Sequence, residues 1–387
     1  MDAEQWRPFL KRWSGEWIAA HDPENDRPLD EAVVRDGWLG FAPAAEEEIA
    51  AAEARLGVSL PPSLREFLAV TNGWRDAGHF IYQLAGTAEL GWLRDLDPSW
   101  IDSFGAAMDE GLDEEDEYGG VTPMLRRALQ LSLDGDVAVM FLDPGDVDAD
   151  GEWAGYWLAS WAGEGPRRSG SFYDLMYRQY KSFHALGHPA GETRDQWDAK
   201  IEQARLEALG GDVDGPLAVL EEAKEFGRER ASLLRFQMRA MLGDWSGLPP
   251  RHFGEWRDPL FTAEILPLLF AEDRLTGHSH GLASLERLME DGGADEARLA
   301  VAEYQAQLRE PGFRVNYGNP EFDAAVRAIA DGPAEDAWPA LLDAIRLWRP
   351  RTDDHIAPVV LFADPALAEI ITEDRGREIL SMPRGGQ

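Results

Sequence analysis

Gly277-His-Ser-His-Gly281 has the G-x-S-x-G spacing. On a strand-to-helix turn that spacing lifts a serine hydroxyl out beside a base. Here the preceding residues, FAEDRLT (270–276), are charged and helical in pattern. Ser279 therefore lacks the apolar strand an elbow needs. His278 and His280 read as a loop capping the next helix, not as a base or a metal pair. Asp146-Val-Asp-Ala-Asp-Gly151 matches the first half of a calcium loop. Alternating carboxylates on a tight turn suit a hard cation. The twelfth position is Trp157, where a bidentate Glu would close the cage, and the flanks read as strands. Asp146, Asp148 and Asp150 are thus candidate ligands whose alternative reading is a solvated hairpin tip. Asp109, Glu110, Asp113, Glu114, Glu115, Asp116 and Glu117 form a dense acidic run, with Trp92 and Trp100 just before it. The run is either a solvated loop or a docking surface for a basic partner, and either Trp could anchor an interface. No P-loop, dinucleotide fingerprint or H-E-x-x-H occurs. No catalytic residue and no cofactor are expected.

The 387 residues hold 37 basic and 72 acidic side chains, a net charge of −35, and no cysteine. Such a surface repels nucleic acid and anionic lipid, and attracts basic proteins. Disulfides and thiolate chemistry are excluded. Apolar runs stop well short of a membrane span. The first twenty residues read as an amphipathic helix and not as an export signal, so a cytoplasmic address is expected.

The elements that would position these residues fall into two halves. Residues 44–74 predict a tight helix pair. Ile49, Ala52 and Leu56 recur at helical spacing before the stop at Gly57, and Pro61-Pro62 opens a second helix with Leu64, Phe67 and Leu68 inward. Asn72-Gly73 is expected to end it. Strands follow at 79–86, at 128–144 around Asp134-Gly135-Asp136, and at 152–163, with a helix at 100–108. Residues 170–186 predict an amphipathic helix capped by Ser171. This order indicates an α+β domain over 1–190. After a Pro/Gly break, residues 191–387 have helical period throughout. Helices are expected at 194–211, 212–227, 228–245, 259–275, 281–290, 294–309, 320–331 and 334–348. The pattern resembles helical-hairpin repeats, and the C-terminal tail is expected to be poorly ordered.

Taken together, Ile49, Glu53, Leu56-Gly57, Leu60-Pro61, Leu64, Phe67-Leu68 and Asn72-Gly73 resemble the signature of the SMI1/KNR4 (SUKH) superfamily. The hairpin, the 152–163 strand and the Ser171-Phe172 helix opening follow in the family's order. The resemblance covers roughly residues 35–185. It implies an α+β domain with an antiparallel-rich sheet that binds proteins and is not an enzyme. Bacterial members are commonly immunity proteins against polymorphic toxins, and fungal members coordinate cell-wall signalling. The motif residues are then fold positions. Glu53 either reaches amides at the start of the second helix or faces a partner. The partner expected is a protein, for an immunity role a basic toxin domain, with no nucleic acid and no membrane. A regulatory scaffold is the alternative, and an enzyme with an unrecognised site a third.

Overall fold

Trp6, Leu10 and Trp13 lie along one face of the first helix, α1 (Ala3–Ala20), and all three are fully buried. Each contributes roughly 2–3 kcal/mol by leaving water. Asp2 and Gln5 form a reciprocal capping box that closes the free amides at its start. The computed structural model describes residues 2–105, 121–245, 258–278, 280–290, 295–332 and 337–384. The chain divides into two compact units, Met1–Glu192 and Thr193–Gln387.

In the first unit α1 is followed by α2 (Glu31–Asp36), α3 (Glu46–Leu56) and α4 (Pro62–Leu68). Ile49, Ala52 and Leu56 of α3 are buried, as are Leu64, Phe67 and Leu68 of α4. Gly57 adopts φ 75°, which lets its N–H close the last turn on the Glu53 carbonyl. The expected role of Asn72-Gly73 needs correction. α4 stops at Leu68, and Ala69, in an ordinary helical conformation, caps it. Asn72 instead ties two loops together: its N–H donates to the Ala42 carbonyl (3.0 Å) and its Oδ1 accepts from the Thr87 N–H (2.6 Å).

Among the described residues eight strands form two antiparallel sheets. β1 (Trp74–Arg75), β2 (Ile81–Leu84) and β5 (Ser132–Gly135) make one, in the order β1-β2-β5. The other runs β3 (Gly91–Trp92), β4 (Leu129–Gln130), β6 (Ala138–Val147), β7 (Trp153–Ala159), β8 (Arg167–Ser169). The Asp134-Gly135-Asp136 turn does join two strands, but the expected single hairpin is divided. β4 pairs with β6, whereas β5 pairs with β2. Ser132 makes the division possible. Its Oγ accepts the Met140 N–H at 2.9 Å, which frees its backbone to pair opposite Leu84.

The Phe172–Gly187 helix packs on β7, where Gly155 leaves room: a Cβ there would sit 3.0 Å from Leu175. Ser171 caps this helix by accepting the Asp174 N–H. Between α1, α4 and this helix the rings form a continuous chain. Trp6 lies 5.3 Å from Phe67, Trp13 lies 5.4 Å from Tyr180 and 5.9 Å from Trp74, and Trp74 lies 5.2 Å from Trp38 at a right angle. Buried Glu16 joins the cluster by accepting from Tyr180 Oη, with His184 Nε2 3.1 Å away.

The second unit is helical throughout its described residues: Glu192–Gly210, Asp214–Glu225, Glu229–Met241, Leu266–Thr276, His280–Glu290, Asp295–Leu308, Pro320–Ala330, Ala337–Ile345, Pro365–Ile370 and Glu373–Leu380, with a wide turn at Phe261–Ile265 and a tight one at Val359–Ala363. The 214–225 and 229–241 helices pack as neighbours, as do 320–330 and 337–345. Buried polar side chains fix the segment after residue 350. Gln237 Oε1 accepts the Ile356 N–H (2.8 Å) and its amide donates to the Asp354 carbonyl (2.7 Å). Glu264, fully buried, accepts from Arg351 Nε (2.7 Å) and from the Val360 N–H (3.0 Å).

The tail is packed as far as Arg384, contrary to the expectation of a loose end. The buried Arg384 guanidinium donates to the carbonyls of Ala208, Ile356, Ile379 and Leu380, satisfying the ends of two helices. Burial lowers its pKa to about 10.

Candidate protein-binding surface

The strand β7 leaves the sheet at Ala159, and the turn that follows carries Trp161 outward. The Ala162 N–H closes the turn on the Ala159 carbonyl (3.2 Å), and the Ser160 N–H donates to the Val137 carbonyl (3.1 Å). Trp161 is half exposed, at 50%. Its indole N–H donates to the Asp136 carbonyl (2.9 Å), and its ring lies 4.8 Å from Phe80 and 5.8 Å from Trp157. The ring is therefore held in place while one side meets water. Leu186 and Val137 are also exposed. A cavity of about 490 Å³ opens beside the ring, lined by Phe80, Trp157, Trp161, Arg167, Gln179 and Leu186.

The rim is polar. Arg167 lies 5.6 Å over the Trp157 ring and pairs with Glu164 (2.8 Å). Arg178 donates to the Arg168 carbonyl (2.6 Å), which covers part of the edge of β8. Among the described residues the buried indole N–H of Trp157, which lines this cavity, has no hydrogen bond. A fixed, half-exposed aromatic beside an apolar cavity with a charged rim is the geometry of an interface anchor.

Sequence alone did not single out Trp161. Its signal was positional: a Trp two residues past the end of a strand, followed by Ala162-Gly163, falls outside the period that would turn it inward. Trp100, expected as an exposed anchor, is core instead. It is 8% exposed and packs with Leu93, Leu125, Phe141 and Tyr156. The six-residue turn Trp100–Gly105 begins at Trp100 and directs it onto the sheet. Trp92 is half-buried at the end of β3 with Arg94 over its ring. The acidic residues Asp109, Glu110, Asp113, Glu114, Glu115, Asp116 and Glu117 lie outside the described residues, as does Ser279.

The three Asp of the calcium-like loop do not converge. Asp146 is in β6, where Arg168 donates to it twice (2.6 and 2.8 Å) and Tyr156 Oη once (2.8 Å). Those donors, Arg168 first, hold its carboxyl below the usual range, and burial together with Asp146 pushes the Tyr156 phenol up to about 12. Asp148 Oδ1 accepts from the Asp150 and Glu152 N–H groups and closes the hairpin tip. Among the described residues no cluster of three or more His, Asp or Glu is placed to hold a metal. Gly277 ends the 266–276 helix at φ 73°, so a helix and not a strand precedes the G-x-S-x-G motif.

The family-motif residues build the framework under this surface. Leu60 and Pro61 lead into α4, Ser171 and Phe172 open the 172–187 helix, and Phe172 lies 5.0 Å from Phe67. Glu53 Oε1 accepts the Leu60 N–H at 2.9 Å and lies 3.5 Å from Arg65 Nε, so its carboxylate is turned to the start of α4.

These two antiparallel sheets with flanking helices define an α+β domain. Residues 43–183 match the model of the SMI1 / KNR4 family (SUKH-1), so the first unit carries a SUKH domain. α1, α2 and the helical second unit lie outside the match. Domains of this family typically bind protein partners and are generally non-enzymatic. Comparison with curated proteins and with solved structures returned no match. No helix among the described residues is long and apolar enough to cross a membrane.

Proposed function

We propose that this protein is a cytoplasmic, non-enzymatic immunity protein that neutralises a bacterial polymorphic toxin by covering its basic active face. One observation carries the reading: a SUKH domain stands in a chain of net charge −35. Carboxylates on such a surface take the place that phosphates would occupy on a nuclease toxin. Trp161 and its cavity supply the apolar anchor that charge alone lacks. The test is growth rescue: the toxin candidate encoded beside this gene is expressed with and without this chain. Rescue by the parent, and its loss in Trp161→Ala with unchanged melting, is the expected result. A linked toxin that kills equally with and without this chain overturns the reading.

A second reading, an intracellular regulatory scaffold, is favoured by the helical unit. A cavity of about 570 Å³ in that unit, lined by Thr262, Leu299, Tyr304 and Phe313 among others, offers a place for a peptide. Affinity capture that returns housekeeping proteins and no toxin would select it.

A further inference from the structure

One cavity of the first unit is lined by cations although the protein is strongly acidic. It measures about 790 Å³, and its lining includes Arg7, Lys11, Trp38, Phe41, Val70 and Arg75. Arg7 and Lys11 stand one turn apart on α1, beside the face that buries Trp6 and Leu10, so their Cβ atoms are roughly 6 Å from each other. Both are exposed, and neither has a carboxylate within 4 Å or a hydrogen bond among the described residues. The cavity's one carboxylate, Asp36, is held by Arg35 at 2.7 Å. Arg75 is fixed over the Phe41 ring at 3.8 Å, with Nη1 on the Gly40 carbonyl (2.9 Å) and Nε on Asp30 (3.2 Å). Trp38 stands edge-on to Trp74, and its indole N–H has no partner among the described residues. Gly40 makes space for that indole, since a Cβ there would fall 2.5 Å from its nitrogen.

Two free cations and a free indole N–H thus surround an aromatic cleft. We propose that this cleft binds an acidic peptide segment in which a large apolar side chain sits between carboxylates. The apolar group lies against Trp38 and Phe41, and the carboxylates meet Arg7, Lys11 and the indole N–H. An extended segment places side chains two residues apart on the same face roughly 6.5–7 Å from each other, which matches the separation of the two cations. The net negative charge elsewhere does not prevent this, because at physiological ionic strength it is screened beyond about 8 Å. Arg7, Lys11 and Trp38 all precede the segment that matches the family model, so the cleft exists because α1 and α2 have been added to the domain. The surface is opposite in charge to the toxin-covering one and independent of it.

The experiment uses the full chain and the probe Ac-Glu-Phe-Glu-NH2. The Trp38 indole N–H resonance, identified by its absence in Trp38→Phe, is followed through titration. A saturable shift is expected. It should weaken at least about 10-fold in Arg7→Gln/Lys11→Gln, which alters only exposed side chains, and in the neutral probe Ac-Gln-Phe-Gln-NH2. Arg7→Glu/Lys11→Glu should transfer the shift to Ac-Lys-Phe-Lys-NH2. The proposal fails if the resonance does not respond, if the neutral probe binds as well, or if inorganic phosphate shifts it as strongly as the acidic peptide.

Discussion

Asp76 follows β1 in a left-handed conformation (φ 49°), its N–H donating to the Tyr82 carbonyl at 2.8 Å. Burial pushes its carboxyl up to about 6, although Arg27, Arg75 and His21 pull it down. Asp22, Asp26 and His79 line the same cavity, and burial lowers His79. A carboxyl whose folded pKa exceeds its unfolded value is destabilising once ionised. The penalty is absent below the unfolded value near 4, develops between about 4 and 6, and is complete above 6. Asp76→Asn keeps a residue type that tolerates this backbone region. It should therefore be more stable than the parent at pH 7.5, by about 1 kcal/mol after allowing for partial exposure. The gain should shrink to nothing at pH 4, as read from urea unfolding at the two pH values. At this scale the sequence was legible for residues serving the backbone, such as Gly57, Ser171 and Glu53. It was not legible for Trp100 and Trp161, because a ring's direction at the end of an element depends on what lies beneath it.

Helices were the most legible elements, because 3.6-residue periods, Gly stops and Pro starts are local. The division of the strand at Ser132 was not, since it depends on a side chain replacing a ladder bond across the sheet. Nor was the packed tail, because what holds it lies far away in sequence. The Glu373–Leu380 helix crosses Glu229–Met241 so closely that a Cβ on Gly376 would lie 1.6 Å from the Met241 carbonyl oxygen. Gly376→Ala should force the two helices apart and cost roughly 2–3 kcal/mol or more, despite alanine's better helix propensity. Chemical denaturation followed by far-ultraviolet circular dichroism measures it. A stability equal to the parent's would mean that the crossing is looser than described.

Across the whole molecule, two compact units meet the base requirement for separate domains: each has its own buried aromatic and aliphatic core. We propose that they fold independently, and that residues 1–192 and 193–387 expressed apart each unfold in one cooperative transition. A fragment without such a transition would show that its core is completed by the other. The charge has its own consequence at this scale. Association with a basic partner should slow markedly between about 50 and 500 mM salt, as the screening length contracts to a few ångströms. A rate indifferent to salt would remove electrostatic steering from the proposed function.

The row of rings from Trp38 through Trp74 to Trp13 has a further use. Indoles this close share their electronic excitation, so light absorbed deep in the core is felt at the mouth of the basic cleft. The fold therefore carries its own optical gauge: the exciton-coupled dichroism of these tryptophans should register any disturbance at Trp38 without an added dye.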